Sequence, residues 1–143
     1  PPIVEQPPYN LLQRGIEDGV LPLARAGGLG IIAFSPLAEG ILTGKYVDGI
    51  PAGTRAASSR RVQAMLDPEV LASTRRLTEI ARDRGVRPEQ LALAWAIRQP
   101  AISSVIVGAT RAEHLTWNLE ALSIPWDDAL SNEVEAAFAA KRG

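Results

Sequence analysis

Residues 103–119, SSVIVGATRAEHLTWNL, constrain the fold more than any other stretch. A short apolar run (Val105, Ile106, Val107) stops at Gly108, and a helical pattern follows from Thr110. Thr110 and Glu113 have the spacing of a capping box, in which each side chain bonds the other's free backbone N–H. The unit reads as strand, glycine turn and capped helix. The free N–H groups and positive dipole end of such a helix favour an anion. Arg111 falls in the first helical turn, where a cation opposes the dipole and a nearby phosphate would reverse that penalty. Together these features point to phosphate.

Two further strands are predicted. Residues 3–6 form a very short one, since the flanking prolines confine any pairing to a few positions. Residues 30–35, GIIAFS, are a continuous apolar run between glycine and proline. That pattern suits a strand buried on both faces of a parallel sheet. Between them a helix is predicted over 16–26, with Ile16, Val20, Leu23 and Ala24 on one face. Pro22 marks either a break or a first-turn position, and Gly27-Gly28 supplies a left-handed cap. Residues 36–66 carry no sustained period, and loops so long are usually functional or disordered. The glycines, Lys45, Tyr46, Arg55 and the Ser58-Ser59-Arg60-Arg61 run suit wrapping an anionic ligand; a plain flexible loop is the alternative. Asp67-Pro68-Glu69 and Pro88-Glu89 then start two helices, the second largely apolar through Leu91, Ala92, Ala94, Trp95 and Ile97. Asp127-Asp128 opens a last amphipathic helix with Leu130, Val134 and Phe138.

Strands alternating with helices imply parallel βαβ units with right-handed crossovers. A doubly wound sheet and a (β/α)8 barrel compete. The dinucleotide fingerprint GxGxxG is absent, and Gly27-Gly28-Leu29-Gly30 precedes a strand where the fingerprint would follow one. A barrel often binds phosphate with the loops after its last two strands and a helix N-terminus. Here the last two strands carry the long polar loop and the Gly-Ala-Thr-Arg helix start. Three strands are less than half a barrel, the chain opens on Pro1, and its only methionine is Met65. The expected fold is therefore the C-terminal portion of a TIM barrel, about three strands with their helices and incomplete. An open sheet edge through the IIAF run would then promote self-association or pairing with the missing N-terminal half.

Composition excludes several functions. A net charge of −1 over 143 residues gives no electrostatic case for nucleic acid or an anionic membrane. With no cysteine and one histidine, a metal site is not expected. No apolar run is long enough to span a bilayer and no signal peptide is visible at the start, so the expected location is cytoplasmic.

The segments EQPPYNLLQR, GIIAFSPLAEGILTGKY and SSVIVGATRAEHLTWNL resemble, in order and spacing, the C-terminal part of aldo-keto reductases. They are similar in particular to bacterial and plant members related to potassium-channel β subunits. The resemblance implies a (β/α)8 barrel that binds NADPH without a Rossmann fold and moves a hydride to a small-molecule aldehyde or ketone. It implies that Gln6 bonds the nicotinamide carboxamide and that Phe34 stacks on the nicotinamide ring. Ser35, Pro36, Leu37, Ala38 and Gly40 would form a belt over the pyrophosphate, with Lys45, Tyr46 and Arg55 beside it. Gly108, Thr110, Arg111, His114 and Asn118 match the site for the 2′-phosphate and adenine of the cofactor. His114 stands where Gln or Arg is usual and Trp117 where an acid is common, which bears on the preference between NADPH and NADH. Read without the resemblance, Phe34 is a core residue, His114 an exposed helix residue, and Tyr9 and Asn10 are turn residues. The family's catalytic Asp, Tyr, Lys and His belong to earlier strands, and none of Tyr9, Tyr46, Lys45 and Lys141 matches them. Three readings follow: the cofactor-binding part of a reductase, inactive alone; a redox-sensing NADPH-binding module; or a piece without function of its own.

Overall fold

The computed structural model describes residues 3–141; Pro1 and Pro2, expected to restrict the approach to the first strand, lie outside them. Three strands, β1 (Val4–Glu5), β2 (Gly30–Ala33) and β3 (Ile102–Val105), form one parallel sheet in the order β1-β2-β3. The sheet does not close on itself. Ile31 is opposite Ile102 and Ile32 opposite Ser104, which leaves Ser103 as an extra residue in β3. The Ser103 hydroxyl fills that bulge by accepting the Ile31 N–H at 3.3 Å.

β2 is the central strand, so the apolar run predicted to lie at an open edge has a partner on each side. It is not buried on both faces either. Ile31 and Ala33 are fully buried, whereas Ile32 is half-buried and Phe34 is 38% exposed. Helix α1 (Val20–Gly27) packs on β2 and α5 (Pro88–Ile97) packs on β3. This alternation means that helices cover one face of the sheet and leave the other open.

α1 starts four residues later than predicted, and Pro22 sits in its first turn, where a missing N–H costs nothing. Leu21 and Ala24 face the core, while Leu23, expected on the buried face, is 74% exposed. Gly28, at φ 68°, provides the left-handed cap.

Residues 36–66 are not without structure. They contain a kinked 3-10 segment (Ala38–Thr43) and two short helices, α2 (Arg55–Ser58) and α3 (Arg60–Ala64). Ile41, Leu42, Tyr46, Ala56 and Val62 bury into the common core, which ties the excursion to the sheet without a regular period. Asp67 caps α4 (Pro68–Asp83) by accepting the Val70 N–H at 2.8 Å, with Pro68 at the first position. Asp127 does the same for α7 (Asp128–Ala137) through Leu130 N–H at 2.7 Å. α6 (Ala112–Glu120) has no fully buried residue, and Leu115 and Leu119 are 52% and 58% exposed.

Candidate functional site

Parallel strands end together, and here the chain beyond each strand stays at the same edge. Phe34 N–H donates to the Pro7 carbonyl at 3.1 Å and Tyr9 N–H to the Phe34 carbonyl at 3.2 Å. On the other side Ile106 N–H donates to the Ala33 carbonyl at 2.8 Å. Gln6, Phe34 and the start of the β3–α6 connection therefore share the carboxyl edge of the sheet. That edge is where α/β proteins place ligands, because the loops there are free to vary. Gln6 and Phe34 are both exposed, so the ring after β2 is not a core residue.

The segment after β2 is wound against its preferences. Ser35, Ala38 and Glu39 have φ of 53°, 47° and 59°, and Gly40 follows at 88°. A non-glycine residue in this region costs on the order of 1 kcal/mol, and such residues gather at ligand clamps. Pro36 and Ala38 are buried, which pins the turn to the core while Ser35, Leu37 and Gly40 stay half-exposed. A Cβ on Gly40 would lie 2.8 Å from Lys45 Nζ, so glycine lets the lysine side chain lie across the turn. Lys45 is exposed there, as a ligand-facing cation requires.

Two of the expected partners behave differently. The Tyr46 ring is buried and its hydroxyl accepts the Ala56 N–H at 3.3 Å, so it is part of the core under the loop. Arg55 is bound to the Glu39 carboxylate, which Arg61 also reaches at 2.6 Å. The hydrogen bond from Arg61 foremost, with that from Arg55, holds the Glu39 carboxyl below the usual carboxylate range despite partial burial. Periodicity carried no sign of this clamp, because its members are far apart in sequence.

At the third strand the capping box is not made. Arg111 is the N-cap of α6, with extended backbone and no side-chain cap, and Thr110 lies outside the helix. Thr110 Oγ1 is instead 3.4 Å from His114 Nδ1, and the Arg111 guanidinium donates to His114 Nε2 at 3.3 Å. Gly108, Thr110 and Arg111 are exposed, and His114 and Asn118 are half-buried. Arg87, which the sequence did not single out, lies 3.7 Å above the Trp117 ring. The His114 ring sits 5.5 Å from the same indole. Asn118 Nδ2 is buried with no partner among the described residues. An amide donor in that state fits an acceptor supplied by a ligand.

Among the described residues no group of three or more His, Asp or Glu could hold a metal, and no helix is long and apolar enough to cross a membrane.

Comparison with known proteins identifies the family. The family model described as "Aldo/keto reductase family" matches residues 1–138. The chain is 41% identical over 129 residues to L-glyceraldehyde 3-phosphate reductase of Escherichia coli (strain K12), covering 86% of this chain and 37% of that protein. It is 44% identical over 128 residues to a probable voltage-gated potassium channel subunit beta of Oryza sativa subsp. japonica, covering 86% and 39%. It is 38% identical over 139 residues to a putative subunit of the same description in Schizosaccharomyces pombe, covering 93% and 40%. The chain thus spans between 37% and 40% of the length of these relatives.

Proposed function

The chain belongs to the aldo/keto reductase family, and on that premise we propose that it is the nucleotide-binding portion of an NADPH-dependent reductase of aldehydes and ketones. The observation that carries this reading is the shared carboxyl edge, where Gln6, Phe34 and the left-handed turn after β2 gather beside the strand leading to α6.

The residues present fit the cofactor. Gln6 offers an exposed amide and Phe34 an exposed ring face to the nicotinamide. The turn at 35–40 presents backbone groups, and Lys45 a cation, to the pyrophosphate. Thr110, Arg111 and His114 give a hydroxyl, a guanidinium and an imidazole for a 2′-phosphate, and the unpartnered Asn118 amide suits an adenine nitrogen. Arg55 would have to leave Glu39, or share it, to reach a phosphate. Bound there, NADPH supplies the hydride. The work of this chain is to orient the ring, exclude water from its face and neutralise the phosphates.

A carbonyl substrate also needs a proton donor with a tuned pKa. Neither tyrosine here meets that need, since Tyr9 and Tyr46 are both buried with occupied hydroxyls. In this proposal the donor set belongs to the rest of the barrel, which closes the open sheet, and the chain alone binds cofactor without turnover. Likeness to proteins named potassium channel subunit beta supports a second reading, in which occupancy itself is the signal.

Titration with NADPH, followed by nicotinamide fluorescence, tests the proposal. Saturable micromolar binding by the folded chain is the expected result. Absence of binding overturns it and leaves a piece without function of its own. Turnover after addition of the remaining barrel separates the reductase from the sensing module.

A further inference from the structure

We propose that Asn10 is the positioning residue that sets the strained turn after β2 and thereby tunes the affinity for the nicotinamide half of the nucleotide. The inference rests on the nucleotide reading above. Asn10 is fully buried, and its side chain is saturated. Its Oδ1 accepts the Leu12 N–H at 2.9 Å and the Gln13 N–H at 3.0 Å. Those two donors fix the amide orientation, because only an oxygen can accept them. The opposite end, Nδ2, donates to Gln13 Oε1 and to the Ser35 carbonyl, each at 2.9 Å.

Ser35 is the first left-handed residue of the turn, and its carbonyl also accepts the Ala38 N–H at 3.0 Å. One oxygen thus joins the entry of the turn to its middle, and Asn10 holds that oxygen from across 25 residues of sequence. A backbone held in this region persists only where its surroundings over-determine it. Pro36 and Ala38 anchor the turn by burial, and the Ala38 N–H holds the Ser35 carbonyl from within the turn. Among the described residues Asn10 supplies the side-chain hydrogen bond that holds it from outside the turn. Phe34 precedes this residue, and its own N–H and carbonyl are tied to Pro7 and Tyr9, so the Asn10 bond continues the same line of backbone restraints.

Asn10→Asp keeps the size and the accepting oxygen, and sets a second oxygen against the Ser35 carbonyl. The first readout is amide hydrogen exchange in the full chain without nucleotide. Exchange at Ala38 should accelerate about tenfold or more, with α4 amides unchanged. The second is affinity: the dissociation constant for NADPH should rise about tenfold, while that for adenosine 2′-phosphate, which engages the α6 end, stays within twofold. Ser35→Gly in the Asn10→Asp background should recover part of the loss, since glycine adopts the left-handed conformation freely. Should Asn10→Asp fail to fold, Gln13→Ala, which removes one restraint on the amide, should move both readouts the same way by less. Unchanged exchange at Ala38, or parallel loss of both ligands, overturns the inference. If exchange responds but the unmodified chain binds neither ligand, the nucleotide reading fails, and with it the part assigned to Asn10 in affinity.

Discussion

Arg14 and Glu135 meet at 2.7 Å across 121 residues of sequence, joining the turn after β1 to the last helix. Arg14 also bonds Glu17 at 2.8 Å and lies 4.9 Å over the Trp95 ring, whose indole N–H donates to Glu135. Tyr9 stacks on Trp95 and donates its hydroxyl to Glu17. One guanidinium therefore organises two carboxylates and two aromatic rings under the candidate site.

Removing that guanidinium should be the most damaging single change here. The Arg14 side chain is 3% exposed, and its loss removes one guanidinium from both Glu17 and Glu135. Arg14→Met should cost about 3 kcal/mol, the scale for breaking a buried pair. Urea unfolding followed by tryptophan fluorescence measures it. A loss below about 1 kcal/mol would mean that solvent screens the pair.

Tyr9 gives an alkaline prediction. Burial first, then the hydrogen bond to Glu17, raises its phenol far above the ordinary value. Folded Tyr9 then keeps a proton that the unfolded chain loses above pH about 10. Its stabilising contribution is complete below that point and is lost as pH rises through the folded value, by up to about 1.4 kcal/mol per pH unit. Tyr9→Phe should flatten the decline between pH 10 and 11. An identical slope in both proteins would refute the assignment.

The Glu39 clamp predicts the opposite dependence. A carboxyl held low contributes stability above its unfolded value, and that contribution disappears as pH falls through the folded one. The two arginines are 60% and 68% exposed, so solvent keeps the effect under about 1 kcal/mol. Glu39→Gln should instead show itself in faster proteolysis near residues 53–61 at neutral pH. Wild-type resistance there would mean that Ala56 and Val62 hold the loop by burial alone.

Caps separate the two helix starts that looked alike. Asp67→Ala should destabilise by about 1 kcal/mol, since its carboxylate caps α4. Thr110→Ala should change stability by less than about 0.5 kcal/mol, because Thr110 caps nothing. Thermal melts of the pair decide it.

Exposed leucines on α6 and the turn that follows it predict self-association of the chain. Leu115, Leu119 and Leu122 are 52%, 58% and 64% exposed along one short stretch. Leu115→Lys with Leu119→Glu should lower the weight-average mass seen in sedimentation without loss of helix. A mass unaffected by the substitutions would place the contact elsewhere, at β1 or β3.

The sequence by itself determined the family, the order of the strands and longer helices, and the capped starts at Asp67 and Asp127. These are local matters: a motif, a period or a cap is complete within a few neighbouring residues. Gln6 and Phe34 entered through the family resemblance alone; the strand patterns ran through both, and the structure ends each strand one residue before them. What only the tertiary structure decided was where long-range partners meet. The face of α1 that packs on the sheet is the one carrying Leu21 and Ala24, and Tyr46 was drawn into the core beneath a loop that has no period. Thr110 was diverted from the helix to His114. Asn10 is the turn residue it looked like, but its bond to Ser35 on the neighbouring strand's loop was not visible. A hydrogen bond across 25 residues leaves no trace in spacing, and only the fold brings its two ends together.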